Sequence, residues 1–472
     1  MPADLASEKL TALERRAAAG LAAIFSLRML GMFIILPVFA LYAASLPGGT
    51  DHTLIGIALG AYGLTQAALQ IPFGWLSDKY GRKRVLYFGL MLFASGSFIA
   101  GSSHDIYWIV FGRVVQGAGA VSAVVIAMLA DLTREEHRTK AMAMIGATIG
   151  VTFGVSFMLA PILNRAIGVP GIFAMTGVLA LLAMLVVKFI VPDPIASHFH
   201  SDAEARPALL REVWGMRELQ RLNVGIFALH ACLMALFVVV PFALKDAGVA
   251  ADHHWQIYLP VMLISFVLML PPVILAETKG KTKPVFIGAI MLLLVSLLLA
   301  KFFMASSWGL LMALTLFFTA FNILEANLPS LISRIAPVGA KGTASGIYSS
   351  IQFLGTFIGA AVGGWLSQHN GMSAVMLFCA AMVLIWLFAS WGMQAPAQVR
   401  TRSFHAPDVN EAEAKSLTQK LLVMDGVREA IVIAGEGIAI LKTNKSGFDE
   451  QAVLKLLGSP ENEGVTAVVS PT

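Results

Sequence analysis

Apolar stretches long enough to cross a lipid bilayer recur along the whole chain. About 18 residues suffice, because a helix rises about 1.5 Å per residue and the hydrocarbon layer is about 30 Å thick. Only 13% of the 472 residues are charged, whereas soluble domains are about 25% charged. The pattern predicts an all-α polytopic membrane protein and excludes an ordinary soluble fold. Twelve transmembrane helices are expected, at 19–45, 54–76, 85–101, 107–130, 141–165, 171–191, 222–244, 255–275, 284–303, 308–333, 343–367 and 372–393.

Charge in the loops predicts the orientation of the chain, because Lys and Arg are enriched in cytoplasmic loops. One alternate set of loops holds only Arg165, Lys245 and Lys301. Both termini are therefore expected in the cytoplasm. The net charge of +5 is explained by the other loops, so we expect no nucleic-acid partner. That basic set comprises Lys79, Arg82, Lys83, Arg84, Arg134, Arg138, Lys140, Arg206, Arg211, Arg217, Lys279, Lys281, Lys283, Arg334 and Lys341.

A hydrophilic stretch divides the spans into two groups of six. The predicted units are an N-terminal half at 1–191, a cytoplasmic linker at 192–221 and a C-terminal half at 222–393. The halves resemble each other weakly, since Gly81–Val85 after span 2 returns as Gly280–Val285 after span 8. Duplicated halves are typical of secondary transporters that hold substrate near mid-membrane and alternate its access between the two sides.

After the last span the composition turns polar, and 394–472 is predicted to be a linker followed by a small soluble domain. Its pattern alternates between strand and helix periodicity. The order βαββαβ is that of the ferredoxin-like α+β fold. The predicted elements are strand 399–404, helix 411–424, strands 429–434 and 438–442, helix 449–457 and strand 465–470.

The loop after span 2 reads Gly74-Trp-Leu-Ser-Asp-Lys-Tyr-Gly-Arg-Lys-Arg-Val-Leu86, and it resembles the signature loop of the major facilitator superfamily. The alternative is a merely basic turn. The resemblance implies that Asp78 packs against the start of span 11, near Gly342 and Thr343, where a helix N-terminus favours negative charge. The implied role is a latch that closes the cytoplasmic side in one state. Its members are Gly74, Asp78, Gly81, Arg82, Lys83 and Asp131, with Arg82 close to Asp131.

Two further segments resemble exporters of the same superfamily. Arg113–Ala120 in span 4 resembles a motif common among its proton-coupled members, so Arg113 is a proton-coupling candidate; the alternative is a structural arginine that ties helices together. Gly146, Gly150 and Gly154 in span 5 resemble the antiporter motif, although its final glycines are missing. A ferredoxin-like domain after span 12 also occurs in proton-linked exporters of the family. Export is therefore favoured, in a bacterial inner (plasma) membrane.

Two titratable side chains lie at one depth within apolar spans. Glu325 on span 10 comes nine residues before Arg334, and His230 on span 7 comes nine residues after Arg221. Each is thus about 13 Å from the same side. Groups of these types can exchange protons near neutral pH when apolar surroundings perturb them. Both are proton-coupling candidates; the alternatives are a neutral acid, a salt-bridge partner or a core histidine.

Further polar residues within the spans are candidates for lining a substrate cavity. Arg28 lies twelve residues beyond Arg16, about 18 Å along a helix, too deep to reach the interface easily. The alternative is a purely structural role for Arg28 and hydrogen bonding between helices for the uncharged residues. The set comprises Arg28, Gln66, Gln70, Asn322, Asn327, Tyr348 and Gln352.

Together these features predict a proton-coupled antiporter that exports small, amphipathic or toxic compounds by alternating access. The alternatives are a transporter of one specific metabolite and a membrane receptor that signals through the C-terminal domain. No catalytic constellation and no metal-binding Cys pattern is evident, so we expect neither an enzyme nor a cofactor, and the proton gradient supplies the energy. The expected partners are the small-molecule substrate, protons, the lipid bilayer and a ligand or second copy bound through 399–472.

Overall fold

The computed structural model describes residues 10–193, 209–337, 340–394, 399–407, 409–434, 437–444 and 447–457. Within them the chain is mostly helical, and eleven helical segments are long and apolar enough to cross a membrane. The helices of the membrane part are α1 Ala12–Phe33, α2 Leu36–Ala44, α3 His52–Tyr80, α4 Arg82–Gly101, α5 Ile106–Ala118, α6 Ser122–Asp131, α7 Glu135–Phe189, α8 Leu210–Gly215, α9 Arg217–Asp246, α10 Trp255–Thr278, α11 Thr282–Phe303, α12 Ser307–Ile335, α13 Lys341–Asn370 and α14 Met372–Trp391.

Helix α7 accounts for the difference between eleven segments and the twelve expected. It has 55 residues, whereas about 20 suffice for one crossing. Gly168 within it is non-helical, with φ of 67° and ψ of 172°, a region that glycine enters without steric cost. The two parts on either side of Gly168 match the spans expected at 141–165 and 171–191, so a division there gives the twelfth helix.

Spans 1 and 4 are each interrupted. The first ends as α1 at Phe33 and resumes as α2 at Leu36, with Pro37 in the first turn of α2, a position that proline tolerates because it lacks an amide hydrogen. The fourth breaks at Gly119 between α5 and α6. Both breaks lie near buried arginines, Arg28 on α1 and Arg113 on α5.

In the part of the chain that the structure describes, α3 and α13 of the two halves meet closely at one end and are separated at the other. We call the end that carries the Lys- and Arg-rich loops the basic end, and the other the opposite end. Near the opposite end, a Cβ on Gly56 would lie 2.1 Å from the carbonyl oxygen of Ala360, so these helices touch through their backbones. Toward the basic end a cleft of about 480 Å³ separates them, lined by Ala67, Ile71, Leu210, Arg211, Trp214, Ile347, Ser350 and Ile351. The protein is therefore closed at the opposite end and open at the basic end.

The C-terminal domain contains β1 Val399–His405, α15 Glu411–Leu422, β2 Val427–Ile433, β3 Ile438–Asn444 and α16 Glu450–Leu457. The strands form an antiparallel sheet in the order β1-β3-β2, so β3 lies between two strands joined by α15, as in the split βαβ motif. Both helices contribute to a small core around Leu441 that is separate from the membrane core. The strand expected at 465–470 lies outside the described residues.

Candidate functional site

Glu325, His230 and Gln352 come together from α12, α9 and α13; we call these three residues the titratable cluster. The Nε2 atom of His230 is 2.8 Å from the side-chain nitrogen of Gln352 and 4.0 Å from Oε2 of Glu325. The His230 side chain is 10% exposed and that of Glu325 is 31% exposed. A titratable pair thus lies among three helices of the second half, as the equal depths of Glu325 and His230 predict.

Buried polar atoms in and beside the titratable cluster lack hydrogen-bond partners among the described residues. Within the described residues, Oε2 of Glu325 and the buried hydroxyl of Tyr348 have no hydrogen-bond partner. Tyr348 lies one turn before Gln352 on α13, and the ring of Phe321 is 5.7 Å from that of His230. Unpartnered buried polar atoms are costly, so atoms placed this way are suited to accept a proton or a ligand group.

A second group of polar side chains lies in the first half; we call Arg28, Tyr62 and Arg113 the arginine cluster. Arg28 donates to the hydroxyl groups of Ser122 and, at 2.7 Å, of Tyr62. The Arg113 guanidinium lies 5.0 Å from the centre of the Tyr62 ring and donates to the carbonyl of Leu59. Both arginines are at most 2% exposed, and their hydrogen-bond partners in the described residues carry no charge.

The structure therefore separates Arg113 from the other two proton-coupling candidates. Glu325 and His230 share one cluster, whereas Arg113 belongs to the other half of the molecule. Between the two clusters, among the described residues, the ring of Tyr62 lies 6.4 Å from that of Phe353, the residue after Gln352.

The remaining cavity candidates differ in the hydrogen bonds that their side chains form. Gln66 donates to the carbonyl of Gly117 at 3.0 Å, Asn322 to Ser265 at 3.3 Å and Asn327 to the carbonyl of Ile323 at 2.7 Å. These three amides serve contacts between or within helices. Gln70 is buried, and its side-chain oxygen has no partner in the described residues.

The predicted latch residues are assembled around Arg82, which is 2% exposed. Its Nε donates to Asp131 at 2.8 Å and its Nη1 to Ser77 at 2.7 Å, which confirms the expected contact with Asp131. Asp78 also bonds to Arg82 and keeps 37% of its side chain exposed. Among the described residues, Asp78 therefore binds within its own loop and not at the start of α13, where the resemblance places it.

The other latch members lie at or near the turn between α3 and α4. Gly81 adopts φ of 92° between α3 and α4, which an L side chain rarely does. Lys83 donates to the carbonyl of Val191 at 2.8 Å and pairs with Asp193, so it connects the turn between α3 and α4 to the end of α7. Gly74 lies beside α6: among the described residues outside its own helix, a Cβ added to it would be 3.5 Å from the Ala123 methyl.

Sequence reasoning missed several partners in these sites. Glu14 is 3% exposed and accepts from the backbone and guanidinium nitrogens of Arg134 at 2.9 and 3.0 Å. It also closes a capping box with Thr11, and the Thr-x-x-Glu spacing was the signal that could have singled it out. Ser77, Ser122 and Tyr62 were not predicted, because ordinary hydroxyl residues in apolar helices carry no distinguishing pattern. Within the described ranges no group of His, Cys, Asp and Glu could hold a metal ion.

Comparisons with known proteins agree with this architecture. A family model described as Major Facilitator Superfamily matches residues 21–276 and 261–441. The inner membrane transport protein YajR of Escherichia coli (strain K12) is 42% identical over 92% of this chain and 95% of that protein. The quinolone resistance protein NorA of Staphylococcus aureus (strain MSSA476) is 25% identical over 71% of this chain and 86% of that protein.

A solved structure supports the fold alone. The crystal structure of a bacterial homolog to the human lysosomal transporter Spinster, in an inward-facing and occupied conformation, matches with a TM-score of 0.67 at 12% identity. The match covers 81% of this chain and 97% of that one.

Proposed function

The chain belongs to the major facilitator superfamily of membrane transporters, and on that premise we propose that it is a proton-coupled antiporter that exports small compounds. The observation that carries the proposal is the position of Glu325, inside an apolar helix and 4.0 Å from His230. A similar protein is named an inner membrane transport protein, so we propose the bacterial inner membrane as its location.

The chemistry of the titratable cluster supports proton coupling. A carboxylate within the hydrocarbon layer is costly unless it is protonated or paired, and the imidazole of His230 lies 4.0 Å from the carboxyl group of Glu325. Loss of the proton from Glu325 creates a charge among α9, α12 and α13, and gain of the proton removes it. Each protonation state therefore favours a different packing of three helices that belong to one half.

The direction of transport is proposed from two resemblances. The exporter-like segments in spans 4 and 5 favour efflux, and one similar protein is named a quinolone resistance protein. We propose that the exported compound occupies the space between the titratable cluster and the arginine cluster. Arg113 then acts on the proton site through charge across this space, since in the described residues it bonds to Gln116 and Leu59 and not to Glu325 or His230.

Proton flux into proteoliposomes tests the proposal. The purified protein is reconstituted with a pH-sensitive dye inside the vesicles, and cationic dyes, antibiotics and sugars are added in turn. We expect substrate-dependent proton movement in the wild type, lost by about 100-fold or more in Glu325→Gln, as for other positioned proton-transfer groups. The matched control is Glu277→Gln, which changes an exposed carboxyl at the end of α10.

Two results would overturn the proposal. Proton-linked transport that persists in Glu325→Gln removes the titratable cluster from the mechanism. Binding of a compound without any flux in the wild type favours the receptor alternative.

A further inference from the structure

One face of the sheet in the C-terminal domain is covered although the domain's own helices lie on the other side. Side chains along a strand alternate between faces. On β3, Ala439 and Leu441 join the core that α15 and α16 cover. Ile440 and Lys442 point to the other face, yet they are only 7% and 2% exposed.

The buried ammonium group of Lys442 reaches the membrane part. Its Nζ donates to the carbonyl oxygens of Arg334 at 3.1 Å and Ala336 at 2.5 Å, and it pairs with Glu429 of β2 at 3.1 Å. These carbonyls lie at the C-terminal end of α12, where helix geometry leaves acceptors without intrahelical partners. A lysine is suited to this position because the helix end carries partial negative charge.

Lys442 binds at the connection between two helices that carry residues of the titratable cluster. The segment from Arg334 to Lys341, which we call the α12–α13 corner, joins the helix that carries Glu325 to the helix that carries Gln352. The next turn of α13 contains Gly342 and Thr343, the site at which the family resemblance places Asp78 when the basic end is closed. In the present open state Asp78 bonds to Arg82, while the corner is held by Lys442.

We propose that Lys442 fastens the C-terminal domain to the α12–α13 corner and thereby favours the state that is open at the basic end. Closure brings the start of α13 toward the latch, and a corner held from outside by a folded domain resists that movement. Anything that binds the domain and withdraws Lys442 then promotes closure. This inference concerns conformation and does not depend on proton coupling or on the direction of transport.

Distances between spin labels test both parts of the inference in the full chain. Both native cysteines are buried, so labels attach selectively to introduced ones. The first pair, Val423→Cys and Glu277→Cys, reports domain docking, and the second pair, Lys188→Cys and Lys281→Cys, spans the two halves at the basic end. All four positions are exposed. Each pair is measured in the wild-type background and with Lys442→Gln, Lys442→Arg or Lys455→Gln.

We expect Lys442→Gln to broaden the domain-to-body distances and to raise the population with short distances between the halves by about fivefold, which corresponds to about 1 kcal/mol. Lys442→Arg retains charge and donors and should preserve docking. Lys455→Gln, which changes an exposed lysine on α16, is the matched control. Unchanged docking distances in Lys442→Gln, an equal change in Lys455→Gln, or lost docking without a shift between the halves would each overturn the proposal.

Discussion

The arginine cluster and the titratable cluster contain groups of opposite charge. The first half buries the guanidinium groups of Arg28 and Arg113, whose bonds in the described residues go to neutral groups. The second half holds Glu325 beside His230. A carboxylate at Glu325 is therefore attracted across the space between the halves, and a neutral acid is not. This asymmetry gives a residue-level reason why protonation should change how the halves sit together.

His230 should matter for proton-driven transport more than for substrate exchange. In His230→Gln the side chain still forms hydrogen bonds with Gln352 but can no longer carry a proton. We expect transport driven by a pH gradient to fall about tenfold, equivalent to about 1.4 kcal/mol, while exchange of substrate at equal pH is retained. Both modes are measured in proteoliposomes.

The control for this prediction is His369→Gln, an exposed histidine at the far end of α13 that bonds to the Trp365 carbonyl. Equal losses of driven transport and exchange in His230→Gln would indicate that the imidazole only supports the packing of the cluster.

Sequence predicted the residues whose type is unusual for their surroundings. Glu325 and Arg28 stood out because charge is rare within apolar spans, and the structure gives both a buried polar neighbour. The uses of the uncharged residues were open, because an amide such as Gln66 bonds equally well to a substrate or to a backbone carbonyl. The relative position of the neighbouring helices decides between these two uses, and in this fold the Gly117 carbonyl lies within reach of Gln66.

At the scale of helices, glycines set how closely α13 can approach its neighbours. Gly359 packs on α9 of its own half, where an added Cβ would lie 2.1 Å from the Ala231 carbonyl oxygen. Gly56 makes an equally close approach to Ala360 across the halves. The Gly359 contact stabilises the second half by itself. The Gly56 contact joins the two halves and exists only while the opposite end is closed.

Gly56→Ala is therefore expected to open the opposite end. The added methyl group meets backbone that cannot easily shift, and overpacking of this kind costs about 1–3 kcal/mol. Spin labels at His104 and Asp252, exposed residues of the two halves at that end, should report longer distances. Gly288→Ala, where an added Cβ meets nothing within 4 Å, is the control, and identical distances in both variants would contradict the assignment.

The helices themselves follow from hydropathy, but their interruptions do not. Apolar length predicted each span, since a bilayer demands it. The break before Pro37 and the join at Gly168 depend on local backbone conformations that proline and glycine permit but do not require. The boundaries of β2 also differ from the expected 429–434, because its pairing with β3 begins at Val427.

For the whole molecule, two contacts act in opposite senses where α12 is followed by α13. Lys442 holds the α12–α13 corner in the open state, and Asp78 is expected to hold the following turn in the closed state. The conformational equilibrium then depends on the difference between two modest energies, so a change to either contact shifts it measurably.

Asp78→Asn should lower the population that is closed at the basic end. The amide lacks the negative charge that a helix N-terminus favours by about 0.3–1 kcal/mol. Spin labels at Lys188 and Lys281 should therefore report fewer short distances. The control is Asp246→Asn, an exposed change at the opposite end, which should have no effect.

Because the Asp78 and Lys442 contacts share no partner, their effects are expected to add. The double variant of Asp78→Asn and Lys442→Gln should thus lie between the single variants, and a distribution identical to that of Lys442→Gln alone would mean that Asp78 plays no part in closure.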